Sequence, residues 1–331
     1  MHWPKNKSGS HRGRAMPGRP PWEGDCLPKA FTSAASMLRG VMGNEPSAPI
    51  AAGRSITVGL VGRGIQSSRS PIMHEREGAR LGMRYRYILI DFDKLNLPDS
   101  ALGDMLDAAE QFGFAGLNVT HPFKQDVIGH LTALSEDAEV IGAVNTVVFA
   151  DGKRSGHNTD SAGFADSFRS EMAGCPLQRV LQLGAGGAGM AVAHALLELG
   201  AQELVIFDID ERRTKHLAMH LGKRWQRKIE AAAAVDAAID GVNGIVNTTP
   251  VGMEKYPGLP IRPELLTRDH WVAEIVYFPS KTELVRRALA LGCRTLTGTG
   301  MAIGQAARSF ELFAGVSANR AAMSEHFQAA A

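Results

Sequence analysis

Gly184, Gly186 and Gly189 stand in the spacing G-x-G-x-x-G within VLQLGAGGAGMAVAHALLELG, between an apolar run and a helix-forming one. That context gives them a chemistry: a tight turn, a backbone bare enough for a pyrophosphate to approach, and a close helix–strand contact. The N–H groups that open the helix, those of Gly187 and Ala188 among them, would meet the phosphate oxygens. The following strand, LVIFD, ends in Asp208, nineteen residues after Gly189, where an acidic side chain is expected to accept hydrogen bonds from ribose hydroxyls. A carboxylate there repels a 2′-phosphate, so NAD is expected rather than NADP. Arg212 and Arg213 pull the other way, since either could reach a phosphate, although Arg213 could equally stack on adenine.

Upstream lie four polar clusters: SSRSPIMH at 67–74, NVTHPFK at 118–124, GAVNT at 142–146 and GHNTD at 156–160. Taken singly, an Asn or Thr at a strand end is ordinarily a turn residue or a helix cap. Four such clusters ahead of a dinucleotide turn predict a ligand cleft, because polar groups at the carboxyl edge of a parallel sheet converge where open α/β folds bind ligands.

The elements that must position these groups are short apolar strands alternating with helical periods. From Ile56 the chain reads ITVGLVG, PIMHEREGARLG, RYRYILI, LGDMLDAAEQFG, GLNVT, PFKQDVIGHL and VNTVVF. A second set runs from RVLQLG through LVIFDI, IVNTTP and WVAEIVY. This alternation specifies an α/β fold built on mainly parallel sheets. At 331 residues two domains are expected. A substrate-binding domain is assigned to 54–160, completed by a C-terminal helix returning over 301–328, and a Rossmann domain to 161–300. Residues 1–53, rich in Pro, Gly, Ser and basic side chains, read as a disordered extension, with Met37 or Met42 as alternative starts.

The net charge of +2 comes from that extension: residues 1–54 hold eight basic and three acidic side chains, leaving 28 basic against 31 acidic in the body. A nucleic-acid partner is therefore not expected. Nor is a membrane span, since no apolar run approaches eighteen residues. Cys26, Cys175 and Cys293 are far apart, which suggests neither a disulfide framework nor a zinc site and fits the cytoplasm.

In this order the strings S-x-S-P, N-V-T-x-P-x-K, G-A-V-N-T, G-x-N-T-D and G-A-G-G resemble the shikimate dehydrogenase family, over about residues 56 to 325. The resemblance implies that Ser68 and Ser70 bind a substrate carboxylate. It assigns ring hydroxyls to Asn118, Thr120, Asn145 and Gln305, catalysis to Lys124 and Asp160, and a further substrate contact to Tyr277. NTTPVGM and LTGTGMAIGQAA look like the segments lining the nicotinamide, with Thr249, Val276 and Gly298 near that ring. A lysine and a carboxylate suit the chemistry, because oxidising an alcohol moves a proton as well as a hydride. No metal is expected, since Lys124 supplies positive charge and no ligand cluster is visible. His74, His121 and His157 read as packing or capping residues, and Glu274, inside a strand, has no evident role.

NADP-dependent biosynthetic members carry an N-R-T string where this chain reads Asp208-Ile209-Asp210. With GHNTD and DHWVAEIVYFP, this looks closer to bacterial quinate/shikimate dehydrogenases that oxidise quinate or shikimate with NAD. The partners expected are a small cyclic hydroxy acid and, at most, a second copy of the chain. The alternatives are a biosynthetic enzyme reducing 3-dehydroshikimate with NADPH, an enzyme acting on an aminated cyclitol acid, and a non-catalytic quinate- or shikimate-binding regulator.

Overall fold

The computed structural model describes residues 29–43 and 54–329. Helix α1 (Lys29–Met42) precedes β1 (Ser55–Gly62), α2 (Ser70–Arg80), β2 (Arg84–Asp91), α3 (Leu102–Gln111), β3 (Gly116–Val119), β4 (Ala133–Leu134) and α4 (Glu136–Ile141). A hairpin of β5 (Thr146–Ala150) and β6 (Lys153–His157) then leads into α5 (Thr159–Glu171). The second half runs β7 (Arg179–Leu183), α6 (Gly187–Glu198), β8 (Glu203–Phe207), α7 (Glu211–Trp225), β9 (Lys228–Ala231), α8 (Val235–Ala238), β10 (Gly244–Asn247), β11 (Trp271–Glu274), α9 (Glu283–Leu291) and β12 (Thr295–Leu296). Helices α10 (Gly298–Ala314) and α11 (Arg320–Ala329) close it.

The strands form two six-stranded sheets, ordered β2-β1-β3-β5-β6-β4 and β12-β11-β10-β7-β8-β9. All pairs in the second sheet are parallel. Read from β9, its order is that of a dinucleotide-binding sheet, and it reverses between β7 and β10, the place where such folds open a crevice. The first sheet is mixed: β1 pairs in parallel with β2 and β3, and β4 with β6, whereas β5 runs antiparallel to both β3 and β6. That reversal serves the site. The start of β5, at Asn145 and Thr146, and the end of β6, at His157 and Asn158, reach the edge where β1 and β3 finish.

Both expected domain boundaries, at 160/161 and 300/301, fall inside continuous helices, α5 and α10. These helices pack on each other at Gly163 and Gly304, where a Cβ on Gly163 would lie 2.8 Å from the Met301 oxygen and the Gln305 nitrogen. Two terminal helices, not one, return to the first sheet. Ala302, Ile303, Ala306, Phe310 and Phe313 of α10, with Met323 and Phe327 of α11, bury against Ile56, Val58 and Leu60.

The expectation of disorder across 1–53 is corrected over 29–42. Ala34 and Leu38, one helical turn apart, are buried with Leu102, Met105 and Leu106 of α3, and an apolar stripe of this kind stabilises a helix that lacks a favourable composition. Residues 1–28 and 44–53 of that expectation lie outside the described residues.

Candidate active site

The clusters anticipated from sequence meet at the switch point of the first sheet, between β1 and β3. Beyond β1 the chain turns through Ser68, whose hydroxyl accepts from the Ser70 N–H at 3.3 Å, and Pro71 opens α2 in the first helical turn. Beyond β3 come Thr120 and Lys124, with Thr120 N–H donating to the Val61 oxygen at 3.0 Å and so tying the two strand ends together.

Asp160 comes from a different element. Asn158 caps α5, its Oδ1 accepting from the N–H groups of Asp160 and Ser161 at 3.1 and 3.3 Å, and its amide donates to the Ala143 oxygen at 2.9 Å. The cap holds Asp160 in the first turn, at the positive end of the helix. There its Oδ2 meets Lys124 Nζ at 2.6 Å, with only 15% of the lysine and 8% of the aspartate side chain exposed. The structure thus joins two residues 36 positions apart into a half-enclosed ammonium–carboxylate pair.

A polar network underlies that pair. Asn118 Nδ2 donates to Thr146 Oγ1 at 3.0 Å, and its Oδ1 accepts from Tyr87 Oη at 2.9 Å. Asn145 Nδ2 donates to Thr159 Oγ1 at 2.9 Å, and its Oδ1 accepts from the Thr159 N–H at 2.8 Å. Both asparagines are therefore oriented before any ligand arrives. Burial pushes the Tyr87 phenol above its ordinary range, against a contrary pull from the Ser70 hydroxyl. Burial also raises the phenol of Tyr277, which follows β11, with Arg69 lowering it and Asp160 raising it. Gln305, on the same stretch of α10 that crosses Gly163, donates to the Ala302 oxygen at 3.1 Å.

The glycine turn lies across from Lys124. Gly184 has φ +102°, and a Cβ there would stand 2.7 Å from Thr248 Oγ1. A Cβ on Gly189 would stand 2.6 Å from the Gly184 oxygen. Both positions therefore require glycine. Gly186 differs: it caps α6, and nothing approaches within 4 Å of its absent side chain, which leaves its backbone open to a phosphate. Asp208 Oδ2 accepts from the Ala185 N–H at 2.7 Å, which places the carboxylate against the same turn. Arg213 is largely exposed, 3.9 Å from Asp210, and Arg212 is almost fully exposed beside it. These features fit a dinucleotide.

The segments expected near a nicotinamide also come together. Thr249 follows β10, and its hydroxyl donates to Asn247 Oδ1 at 2.7 Å. Val276 follows β11, and a Cβ on Gly298 would fall 2.3 Å from the Ile275 oxygen, so α10 begins hard against that strand end.

Two family descriptions match the chain: the shikimate dehydrogenase substrate binding domain over residues 60–147, and the shikimate 5′-dehydrogenase C-terminal domain over 298–326. The chain is 52% identical to a shikimate dehydrogenase (NADP(+)) of Streptomyces avermitilis over 264 residues, 79% of this chain and 91% of that one. The chain belongs to the shikimate dehydrogenase family. It is an oxidoreductase of the kind that acts on a CH–OH group with a nicotinamide cofactor. A quinate/shikimate dehydrogenase (NAD(+)) of Corynebacterium glutamicum strain R is 44% identical over 279 residues, 82% of this chain and 98% of that one. The crystal structure of quinate dehydrogenase from the same species in complex with NAD superposes with a TM-score of 0.77 at 42% identity, covering 83% of this chain and 99% of that one.

Among the residues that sequence reasoning missed in this shikimate dehydrogenase family member, Gln182 stitches the glycine turn. Its Nε2 donates to the oxygens of Gly184 and Gly189, each at 2.9 Å. A lone glutamine in the apolar strand VLQLG was the available signal. Tyr87, inside RYRYILI, carried none. Away from the glycine turn, Asp137 of α4 with His194 and Glu198 of α6 bring ligand atoms within 4.8 Å of one another, a grouping that the sequence spacing did not display.

Proposed function

We propose that this chain oxidises a ring hydroxyl of quinate or shikimate to the 3-dehydro ketone, reversibly, with NAD. The observation that carries the reading is the Lys124–Asp160 contact at 2.6 Å, made at the mouth of the asparagine network and opposite the glycine turn. When bound, NAD accepts the hydride from the carbinol carbon. The hydroxyl proton passes to the Lys124–Asp160 pair, which acts as a unit, and in the reverse direction the pair returns it to the carbonyl oxygen. The ammonium of Lys124 stabilises the oxygen as negative charge develops there.

The remaining roles are those that the resemblance and the glycine motif imply. Ser68 and Ser70 take the substrate carboxylate; Asn118, Thr120, Asn145, Gln305 and Tyr277 hold the ring. Gly184, Gly186, Gly187, Ala188 and Gly189 cradle the pyrophosphate, Asp208 the adenosine ribose and Arg213 the adenine edge. Thr249, Val276 and Gly298 line the nicotinamide. Cys175 and Cys293 are both free, in keeping with a reducing cytosol. Among the described residues no helix is long and apolar enough to cross a membrane.

A second reading, with NADP as cofactor, is favoured by the exposed guanidinium groups of Arg212 and Arg213, which lie beside Asp210, two residues after Asp208. Steady-state rates for quinate and shikimate against NAD and NADP, with Lys124→Ala as control, decide between them. A tenfold or greater advantage for NAD in kcat/KM is expected. An advantage for NADP of that size rejects the cofactor assignment, and ligand binding without turnover of either cofactor rejects the catalytic one.

A further inference from the structure

Glu274 ends β11 and is 2% exposed, yet no step of the reaction uses it. Its carboxylate is surrounded by donors. Oε1 accepts from Asn247 Nδ2 and from the Val276 N–H, each at 2.9 Å; Oε2 accepts from Thr282 Oγ1 at 2.9 Å and from Asn247 Nδ2 at 3.1 Å. Burial pushes the carboxyl up to about 7, and the donated hydrogen bonds pull the other way. Three segments thereby meet on one side chain: the turn after β10, the strand end at Val276, and the cap of α9, where Thr282 Oγ1 also accepts from the Val285 N–H at 3.3 Å.

The contact with Asn247 has a directional consequence. With Nδ2 turned to the carboxylate, and also donating to the Val251 oxygen at 2.9 Å, Oδ1 must face Thr249. There it accepts from both the Thr249 N–H at 3.0 Å and the Thr249 hydroxyl at 2.7 Å, while that hydroxyl accepts from the Val251 N–H at 3.1 Å. Turning the asparagine amide over would set its N–H groups against the Thr249 N–H and leave buried donors unpaired. A glutamine at 274 keeps one oxygen to accept from Asn247 and Val276, so it is a leucine, with no acceptor at all, that removes the reason for the observed orientation.

We infer that Glu274 is a positioning residue for the nicotinamide end of the cofactor, fixing the amide of Asn247 and the backbone of Val276 so that Thr249 and Val276 present one preformed wall. The inference rests on the proposed placement of the nicotinamide against those two residues. It assigns Glu274 to cofactor binding and not to the substrate, whose expected contacts other than Tyr277 lie on other elements.

The test compares Glu274→Leu with Thr249→Val, using whichever nicotinamide nucleotide the wild type prefers. KM is measured separately for nucleotide and for cyclic acid, and the Kd of the reduced nucleotide by fluorescence titration without substrate. Both variants are expected to raise nucleotide KM and Kd about tenfold and to leave the cyclic-acid KM within twofold, and Glu274→Gln, which keeps the oxygen facing Asn247 and Val276, is expected to stay near wild type. If Thr249→Val weakens the nucleotide and Glu274→Leu does not, the positioning role is overturned and the nicotinamide placement stands. If neither weakens it, the placement itself is wrong and the inference falls with it. An equal rise in both KM values for Glu274→Leu also overturns it, as a general loss of structure. Should Glu274→Leu fail to fold, Thr282→Val removes one of the four bonds, and a nucleotide KM unchanged in that variant overturns the role.

Discussion

The aliphatic stem of Lys124 lies against Gly187, so close that a Cβ on the glycine would stand 3.1 Å from both Cβ and Cδ of the lysine. One member of the pair proposed to carry the proton is thus braced by the turn proposed to cradle the cofactor. Gly187→Ala forces the stem aside by a few tenths of an ångström, and kcat is expected to fall about tenfold, because misplacement of a reacting group is costly. Gly186→Ala should behave differently: its side chain enters empty space in the protein, where a pyrophosphate would lie, and nucleotide KM should rise with little effect on kcat at saturation. Steady-state kinetics on the two variants check the contrast, and identical profiles would refute it.

Removing either member of the ion pair should abolish most of the activity. Lys124→Ala and Asp160→Asn are each expected to lower kcat by roughly 10²- to 10⁴-fold, the range for loss of a positioned proton carrier. Asp160→Asn leaves a lysine that is only 15% exposed without its carboxylate partner, so it should also lower the thermal midpoint. A double variant no slower than either single one is expected if the two act as a unit. Rates that multiply across the two singles would separate their roles.

What the sequence disclosed depended on how local each signal was. The glycine turn, Asp208 and the cap Asn158 were legible because each sits in its own strand-to-helix junction, where backbone chemistry dictates the residue. Lys124 and Asp160, by contrast, were legible only through a resemblance, since no spacing rule joins positions brought together by two different strand ends. The antiparallel hairpin was missed although its turn was written plainly: Asp151 and Gly152 both have positive φ, as an Asp-Gly hairpin turn requires. Helix α1 was hidden by averaging, because a short apolar stripe such as Ala34 and Leu38 hardly registers in a segment dominated by Pro and Gly. Glu274 showed only as an anomaly, a charge inside a strand, whose meaning needed partners from β10 and α9.

Asp208 should govern cofactor choice through charge and through the turn it supports. Asp208→Ala removes the carboxylate that a 2′-phosphate would meet, and also the acceptor of the Ala185 N–H. The kcat/KM for NAD is expected to fall at least tenfold, while that for NADP falls less or rises, because the charge that repels a 2′-phosphate is gone while Arg212 and Arg213 remain at Asp210. A ratio of the two constants that does not move excludes Asp208 from cofactor discrimination.

Acid should weaken the fold through histidines that are buried without charge. His74 is completely enclosed, 3.2 Å from Tyr85 Oη and 3.4 Å from Ser309 Oγ, and burial pushes its imidazole from the ordinary 6.5 down to about 3. Between those limits the unfolded chain binds a proton that the native one does not. Stability is therefore complete above pH 6.5 and is lost as pH falls toward 3, by at most ~1.4 kcal/mol per pH unit from this group. His194, pushed down to about 4 by burial, acts in the same direction. Urea unfolding at pH 7.5 and pH 5.0 should show a smaller drop for His74→Gln than for wild type, and equal drops would clear His74 of the effect.

Helix α1 offers the last test, because its docking was the largest surprise of the fold. Leu38 is fully buried, among Leu102, Met105 and Leu106 of α3, and Arg39 stacks 5.4 Å from the centre of the Phe112 ring on the same side. The Arg86 guanidinium on β2 also donates to the Met42 oxygen, so the far end of the helix is tied to the sheet as well as to α3. Leu38→Ala removes a side chain from a filled core, for which losses of about 2–5 kcal/mol are usual. The neighbouring Arg39→Ala should cost about 1 kcal/mol or less, since a partly exposed cation–π contact is weak. Urea midpoints at constant m would show that ordering if the helix belongs to the folded core. A Leu38→Ala variant within 0.5 kcal/mol of wild type, about the scatter of surface substitutions, would instead place α1 outside the cooperative unit.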